Sequence, residues 1–280
     1  MTYYRTELDG QTHSFKDLGF RTVDFVVSSP SFSYDEKMVN SVTGIVATET
    51  TRQPRQISVT FSVMADDWID FAMLRQKIFD VVSNNPIYLI EERKPGEMWE
   101  CRVKDPYVLR QLNTYSVFTI DFICFAGASM SIGTTVEDDT FSALSYYNLP
   151  TTIDDYKDIK KVAFRIFNPG LAIDPRNRNT FFKIVYKGAS SRFGITNLTT
   201  GDVFEYEGNT EENDTLTLDG INTFKNNTSV FLDTNKQLIS LSHGWNEFVL
   251  HGVPGATELT EFVEKDGENP ITFDFRFNFN

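Results

Sequence analysis

Ile57, Val59, Phe61 and Val63 alternate with Gln56, Ser58, Thr60 and Ser62. Near the other end Ile271, Phe273, Phe275, Phe277 and Phe279 alternate with Thr272, Asp274, Arg276 and Asn278. A period of two sets one side of a pleated strand in a core and the other in water, and it cannot serve a helix. The aromatic load agrees: 25 Phe stand beside 11 Tyr, and rings of this kind pack best on pleated surfaces. The chain is therefore expected to be mainly β. Its 280 residues suggest two domains, and 40% hydrophobic against 23% charged residues is enough for each to bury a core.

The period breaks once. Phe71, Leu74, Ile78 and Val82 recur at helical spacing, with Trp68 a turn earlier, which predicts a helix over 66–83. Asp66 is the expected N-cap, with Asp67 and Asp70 favouring the positive end of the helix dipole. Asn84-Asn85-Pro86 stops it. Before it, residues 21–27 read as a strand with Val23, Phe25 and Val27 on one face, and the Thr-rich stretch 42–55 reads as a long loop or an extended hairpin. After it, strands are expected at 87–92, 98–103 and 116–125, with Lys94-Pro95-Gly96 as a turn. Strands, one helix, then strands define an α+β domain over 1–135, a sheet or barrel with the helix laid on one face. Residues 127–150 carry Gly, Ser, Thr and an acidic run without a sustained period, and read as a linker. In 136–280, strand candidates fall at 162–167, 181–186, 192–197, 202–206, 215–218, 229–232, 237–241, 246–250 and 271–279, with Gly and Pro between them. Short strands at that spacing indicate a jelly-roll β-sandwich.

Net charge is −13, with 13 Lys/Arg against 17 Asp/Glu in residues 1–135 and 13 against 22 in 136–280. An acidic surface repels phosphate and argues against sequence-specific nucleic-acid binding; plain solubility accounts for it equally well. Cys101 and Cys124 fall in phase with core positions and are expected as buried thiols, a bridge between them being the alternative. The opening residues lack a basic segment followed by an apolar run, and no stretch approaches a membrane span, so neither leader nor membrane partner is expected.

Chemistry finds little footing. His13, His243 and His251 show no zinc-ligand spacing, although the latter two stand near the ends of a strand pair and could approach each other. Nucleophile elbow, phosphate loop and dinucleotide fingerprint are all missing. Between Arg192 and Lys225 lie Asp202, Glu205, Glu207, Glu211, Glu212, Asp214 and Asp219 with no Lys or Arg. That run lacks the calcium-loop pattern, and loop acids alone do not define a glycosidase pair; solvated strand edges and hairpin turns are the simpler reading. No catalytic residue, cofactor or metal site is expected.

Several motifs taken together resemble the distal tail proteins of phages with long non-contractile tails, particularly those infecting Gram-positive bacteria. In the first half these are Arg55-Gln56-Ile57-Ser58-Val59-Thr60-Phe61-Ser62-Val63, then Asp70-Phe71-Ala72-Met73-Leu74-Arg75-Gln76-Lys77-Ile78, then Pro86-Ile87-Tyr88-Leu89, with an aromatic strand near Trp99. The second half adds Phe167-Asn168-Pro169-Gly170, Ile195-Thr196-Asn197-Leu198-Thr199-Thr200 and Gly244-Trp245-Asn246. Residues 39–46 depart from the family, where a more Gly- and Arg-rich segment is common.

The resemblance implies a virion structural protein, made in the host cytoplasm and placed at the tail tip or baseplate. N-terminal domains would form a homo-hexameric ring between the tail tube protein and the tail-tip hub or tail-associated lysin. C-terminal galectin-like sandwiches would sit outside and hold receptor-binding or baseplate proteins for host adsorption. DNA would pass the channel without specific binding, and Glu49 or other acids of the first domain would face the lumen. The alternative is a carbohydrate-binding module gripping host-wall saccharide, with Trp245 as the contact; packing at a strand start is the simpler role for that ring.

Overall fold

A computed structural model describes residues 2–8, 10–38, 45–83, 86–177, 180–256 and 262–280. The protein is mostly β with curled sheets, as expected. It divides into two compact units, residues 1–130 with Asn280, and residues 131–279. The division falls a few residues before the expected boundary at 135/136.

In the first unit the hydrogen-bonded order is His13–Ser14, Thr2–Arg5, Ile87–Glu91, Glu97–Val103, Tyr115–Cys124, Arg55–Met64 and Phe20–Val27. The Arg55–Met64 strand lies between two long neighbours, and its alternation is fully realised: Ile57, Val59, Phe61 and Val63 are buried. Opposite it Phe118, Ile120, Phe122 and Cys124 complete the same core. One expectation fails on Phe20–Val27. A bulge between Thr22 and Asp24 shifts the register, so Phe20 and Phe25 point inward while Val23 is exposed. One inserted residue reverses the facing of everything beyond it.

The helix runs Trp68–Val82. Its N-cap is Asp67, not Asp66: the Asp67 carboxylate accepts from the backbone N–H of Ile69 and Asp70, both at 2.8 Å. The Asp70 carboxylate in turn accepts from the Asp66 N–H at 3.1 Å, so each end of the turn satisfies a donor of the other. Phe71, Leu74, Ile78 and Val82 join the core, but Trp68 is exposed and does not extend the stripe. Leu74 sits against Gly19, where a Cβ would come within 2.9 Å of the leucine methyl and where φ is +91°. Asp67→Ala should lower the stability of this unit by about 1 kcal/mol, read as a fall in urea midpoint at unchanged m-value.

Of the stretch 42–55, residues 45–52 form one arm of an extended hairpin: Phe32–Met38 pairs with Ile45–Arg52 as a separate two-stranded sheet, and Arg55 already opens the next strand. Residues 39–44, most of the segment departing from the distal tail proteins, lie outside the described residues.

In the second unit nine strands pair antiparallel in the order Asp202–Glu205, Gly194–Asn197, Gly244–His251, Ile159–Asn168, Lys265–Phe275, Phe182–Lys187, Thr215–Asp219, Asn222–Lys225 and Thr228–Ser229. Phe273 is fully buried among Phe164 and Phe248, at ring-centroid distances of 5.7 and 4.8 Å. Phe275, Phe277 and Phe279 continue that face inward. Arg276, expected on the wet face, is instead buried, and its Nη1 donates to the Ser131 carbonyl at 2.9 Å.

Two further expectations are corrected. Residues 127–150 are folded, holding the Ser129–Ser131 strand, the Asp138–Ala143 helix and a turn of 3-10 helix at Ser145–Tyr147. Residues 237–241 form no strand: Ile239 and Leu241 are buried, but Leu241 makes only an isolated bridge to Ile173, and the Ser240 N–H donates to Asp202 rather than to a neighbouring strand.

Candidate assembly surfaces

The residues that could carry chemistry stand apart. His243 precedes and His251 ends the Gly244–His251 strand. At about 3.4 Å per residue they lie roughly 25 Å apart, so the expected approach does not occur. His243 Nδ1 is 2.9 Å from the Gly170 carbonyl, His251 Nε2 is 3.1 Å from Thr196 Oγ1, and His13 packs on Tyr4. Cys101 and Cys124 are free thiols in the first core. Burial, reinforced by a hydrogen bond to Cys124, pushes the Cys101 thiol well above its ordinary value. Among the described residues no group of three or more His, Cys, Asp or Glu converges, and no helix is long and apolar enough to cross a membrane.

Two of the acids of 202–219, Asp202 and Asp214, are tied down by hydrogen bonds. Asp202 accepts from the Ser240 N–H at 2.9 Å and from the Ser240 and Thr200 hydroxyls. Asp214 accepts from the Glu211 N–H at 2.8 Å, Lys225 Nζ at 2.9 Å and Asn226 Nδ2 at 2.6 Å. These donors, the Glu211 amide first, pull its carboxyl from 3.8 down to about 2. A depressed carboxyl stabilises the fold above its unfolded value and loses that contribution as pH falls through the folded one. An NMR titration should therefore place the Asp214 midpoint near 2, and Asp214→Asn should remove this part of the acid sensitivity between 3.8 and about 2.

Apolar exposure is concentrated where strand passes into helix in the first unit. Met64 is 78% exposed and Trp68 71%, with Ile69 and Met73 following on the helix. Tyr115, the register partner of Met64, and Leu112, which bridges to Tyr115, are exposed as well. Phe32 and Tyr34 add exposed rings on one face of the hairpin, with the Arg52 guanidinium 5.4 Å from the Phe32 centroid. Large apolar side chains gathered in this way mark surfaces that other proteins cover. Sequence periodicity assigned Trp68 to the core and so missed this patch; the cluster of acids at 66–70, which keeps the first turn in water, was the available signal.

The same unit hides a polar knot. Arg55 is buried, its Nε and Nη2 donating to the Ser28 carbonyl at 2.9 and 2.7 Å while the guanidinium lies 4.8 Å from the Trp99 centroid. Glu97 is buried nearby, held by Ser129 Oγ at 2.6 Å and Lys94 Nζ at 3.1 Å.

In the second unit Trp245 is 46% exposed at the start of its strand and packs on Phe167 at 5.0 Å between ring centroids. Two residues along each strand, Arg165 donates twice to Glu247 Oε1, at 3.2 and 2.8 Å, and lies 5.0 Å from the Phe262 centroid.

Sheet order, helix and exposed patch together describe a scaffold with surfaces for partners. Residues 8–124 match the family model of the phage tail protein RIFT-related domain. The chain as a whole has the fold of a siphophage distal tail protein, confirming the resemblance read from its motifs. The Dit protein of phage SPP1, described as a paradigm of the hub adsorption apparatus in phages infecting Gram-positive bacteria, superposes with a TM-score of 0.67 at 12% identity, covering 100% of this chain and 98% of that one. A chain of the phage p2 baseplate in its activated conformation with strontium gives 0.46 at 11% identity, over 98% and 97%. No curated protein matches by sequence. The family-model match places a phage tail protein domain at residues 8–124, and the likeness to SPP1 Dit extends to the fold of the whole chain.

Proposed function

We propose that this protein is a non-enzymatic ring adaptor of a phage tail tip. Six copies close a ring through their first units, between the tail tube protein on one side and the tail-tip hub or tail-associated lysin on the other. The second units face outward and hold receptor-binding or baseplate proteins. The observation that carries this reading is the fold shared with SPP1 Dit along the entire chain. A closed ring needs two different complementary faces on each subunit. The Met64–Trp68 region is one candidate face. The hairpin is another, because an isolated pair of strands is marginal in water and gains stability when covered. Acidic side chains would suit a channel that DNA must leave freely; the backbone of Glu49, the acid expected to face the lumen, pairs with Asp35 on the hairpin, while its side chain lies outside the described ones. Native mass spectrometry across a concentration series tests the assembly: six-chain species support it, and a monomer at every concentration that also binds no tail-tip protein overturns it.

A second reading rests on Trp245. A half-exposed indole beside an Arg–Glu pair offers an apolar platform and polar partners to a saccharide. Glycan-array binding that is lost in Trp245→Ala would favour it, and no binding at millimolar sugar would remove it.

A further inference from the structure

Cys101 and Cys124 lie on neighbouring strands of the first unit, Glu97–Val103 and Tyr115–Cys124. The two strands run antiparallel, with Arg102 opposite Ile123 and Val103 opposite Phe122. One further step of that register sets Cys101 opposite Cys124. The kind of pair follows from the ladder. The Lys104 N–H donates to the Asp121 carbonyl at 2.8 Å, and hydrogen-bonded pairs alternate with non-hydrogen-bonded ones along antiparallel strands. Counting back from Lys104, Val103–Phe122 is a non-hydrogen-bonded pair, Arg102–Ile123 a hydrogen-bonded one, and Cys101–Cys124 non-hydrogen-bonded again. Cα atoms in such a pair stand about 4.5 Å apart, with side chains closer than in the other kind. A disulfide requires roughly 4.4–6.8 Å between them.

The side chains agree with the backbone. Residues directly opposite each other point to the same side of a sheet, and both cysteines are fully buried in one core. Their thiols are hydrogen-bonded to each other. That bond, with help from the backbone of Gly127, Ala128 and Ala126, holds the Cys124 thiol below its ordinary value against the opposing effect of burial. Burial first, and the same bond second, push Cys101 the other way. Cys124 is thus the readier nucleophile of the two. It is also the last residue of its strand, where local opening costs least.

We propose that Cys101 and Cys124, thiols in this structure, are an oxidisable pair that closes to a cross-strand disulfide within the folded chain. The oxidant is a low-molecular-weight disulfide such as oxidised glutathione. The Cys124 thiolate attacks one of its sulfurs, the S–S bond breaks, and the first glutathione leaves and takes up the proton that Cys124 gave up. The Cys101 sulfur then attacks the Cys124 sulfur of the mixed disulfide, and the second glutathione leaves with the Cys101 proton. In total the protein loses two electrons and two protons, and the oxidant becomes two thiols. The bridge ties off residues 102–123, the segment that carries the exposed Leu112 and Tyr115. It acts by restricting the unfolded chain rather than by adding contacts to the folded one.

The test starts from the reduced full chain, incubated with oxidised glutathione in native buffer and, in a second sample, refolded from urea in its presence. Intact-mass spectrometry should show a species lighter by two hydrogens, with neither thiol open to alkylation. The first unit of the bridged chain should melt higher than that of the reduced chain, by about 5 °C, and dithiothreitol should restore the lower value. Cys101→Ala and Cys124→Ala should each form no bridge within the chain and show no such rise. The proposal is overturned if no bridged species forms by either route, or if the bridge joins two chains. It is equally overturned if the bridged chain melts no higher than the reduced one, or if either variant shows the same rise.

Discussion

Phe273→Ala is expected to remove a large part of the stability of residues 131–279. The ring is fully buried, packs against both Phe164 and Phe248, and belongs to the same core as Phe204, Leu216 and Ile195 on strands elsewhere in the sheet. Deleting it loses transfer free energy and leaves a cavity that the neighbouring rings cannot close, a cost of about 3–5 kcal/mol. A domain of this size is stable by only about 5–15 kcal/mol, so the variant should unfold at markedly lower urea with little change in m-value. Phe273→Leu, which keeps most of the volume, should cost about 1.5 kcal/mol or less. A Phe273→Ala midpoint close to that of the native chain would mean that this strand does not organise the core.

The second large effect concerns assembly. Met64→Ser together with Trp68→Ser should leave folding almost untouched, since both side chains are mostly in water, and should weaken ring closure by about 30-fold or more. Exposed Trp residues at interfaces carry a disproportionate share of binding energy, of order 2 kcal/mol or more each at a central position. Far-UV circular dichroism and the urea midpoint check the fold, and native mass spectrometry reads the assembly. Unchanged six-chain assembly in the double variant would remove this patch from the ring contacts.

Much of the architecture is legible in the sequence because burial and period coincide there. Val59 and Phe61, and likewise Phe273 and Phe275, alternate without interruption, and Phe71 to Val82 keep helical spacing. The misreadings share a physical cause: side chains or single inserted residues replace the regular ladder. Val23 is turned outward by one bulge residue that no local composition announces. Residues 127–150 look like a linker because most of their buried side chains are hydroxyls, Ser129, Ser131, Thr134, Thr135 and Thr140, with only Ala128, Met130 and Leu144 as scattered apolar ones. Ser131 and Thr135 are buried by donating to the carbonyls of Gly133 and Phe273, both at 2.6 Å. Apolar periodicity does not register such positions. At 237–241 the alternation is real, yet Ser240 spends its N–H on Asp202, so the strand expected there never joins a neighbour. Arg276 sits in phase with Thr272 and Asp274 but is buried through its hydrogen bond to Ser131, a residue far away in sequence.

The assembly surface was only half legible for a related reason. The motif order pointed to a tail protein, but the residues that would meet partners are the apolar ones the core leaves out. In a single sequence Trp68 and Leu74 look alike; only the packed helix separates the ring in water from the methyls against Gly19.

The ring itself is open to direct inspection. Negative-stain electron microscopy of the purified chain, alone and mixed with the tail tube and hub proteins of the same virion, should give class averages of a closed ring with six-fold symmetry and a central channel. Particles that remain single chains in both samples, with no complex formed on mixing, would contradict the account.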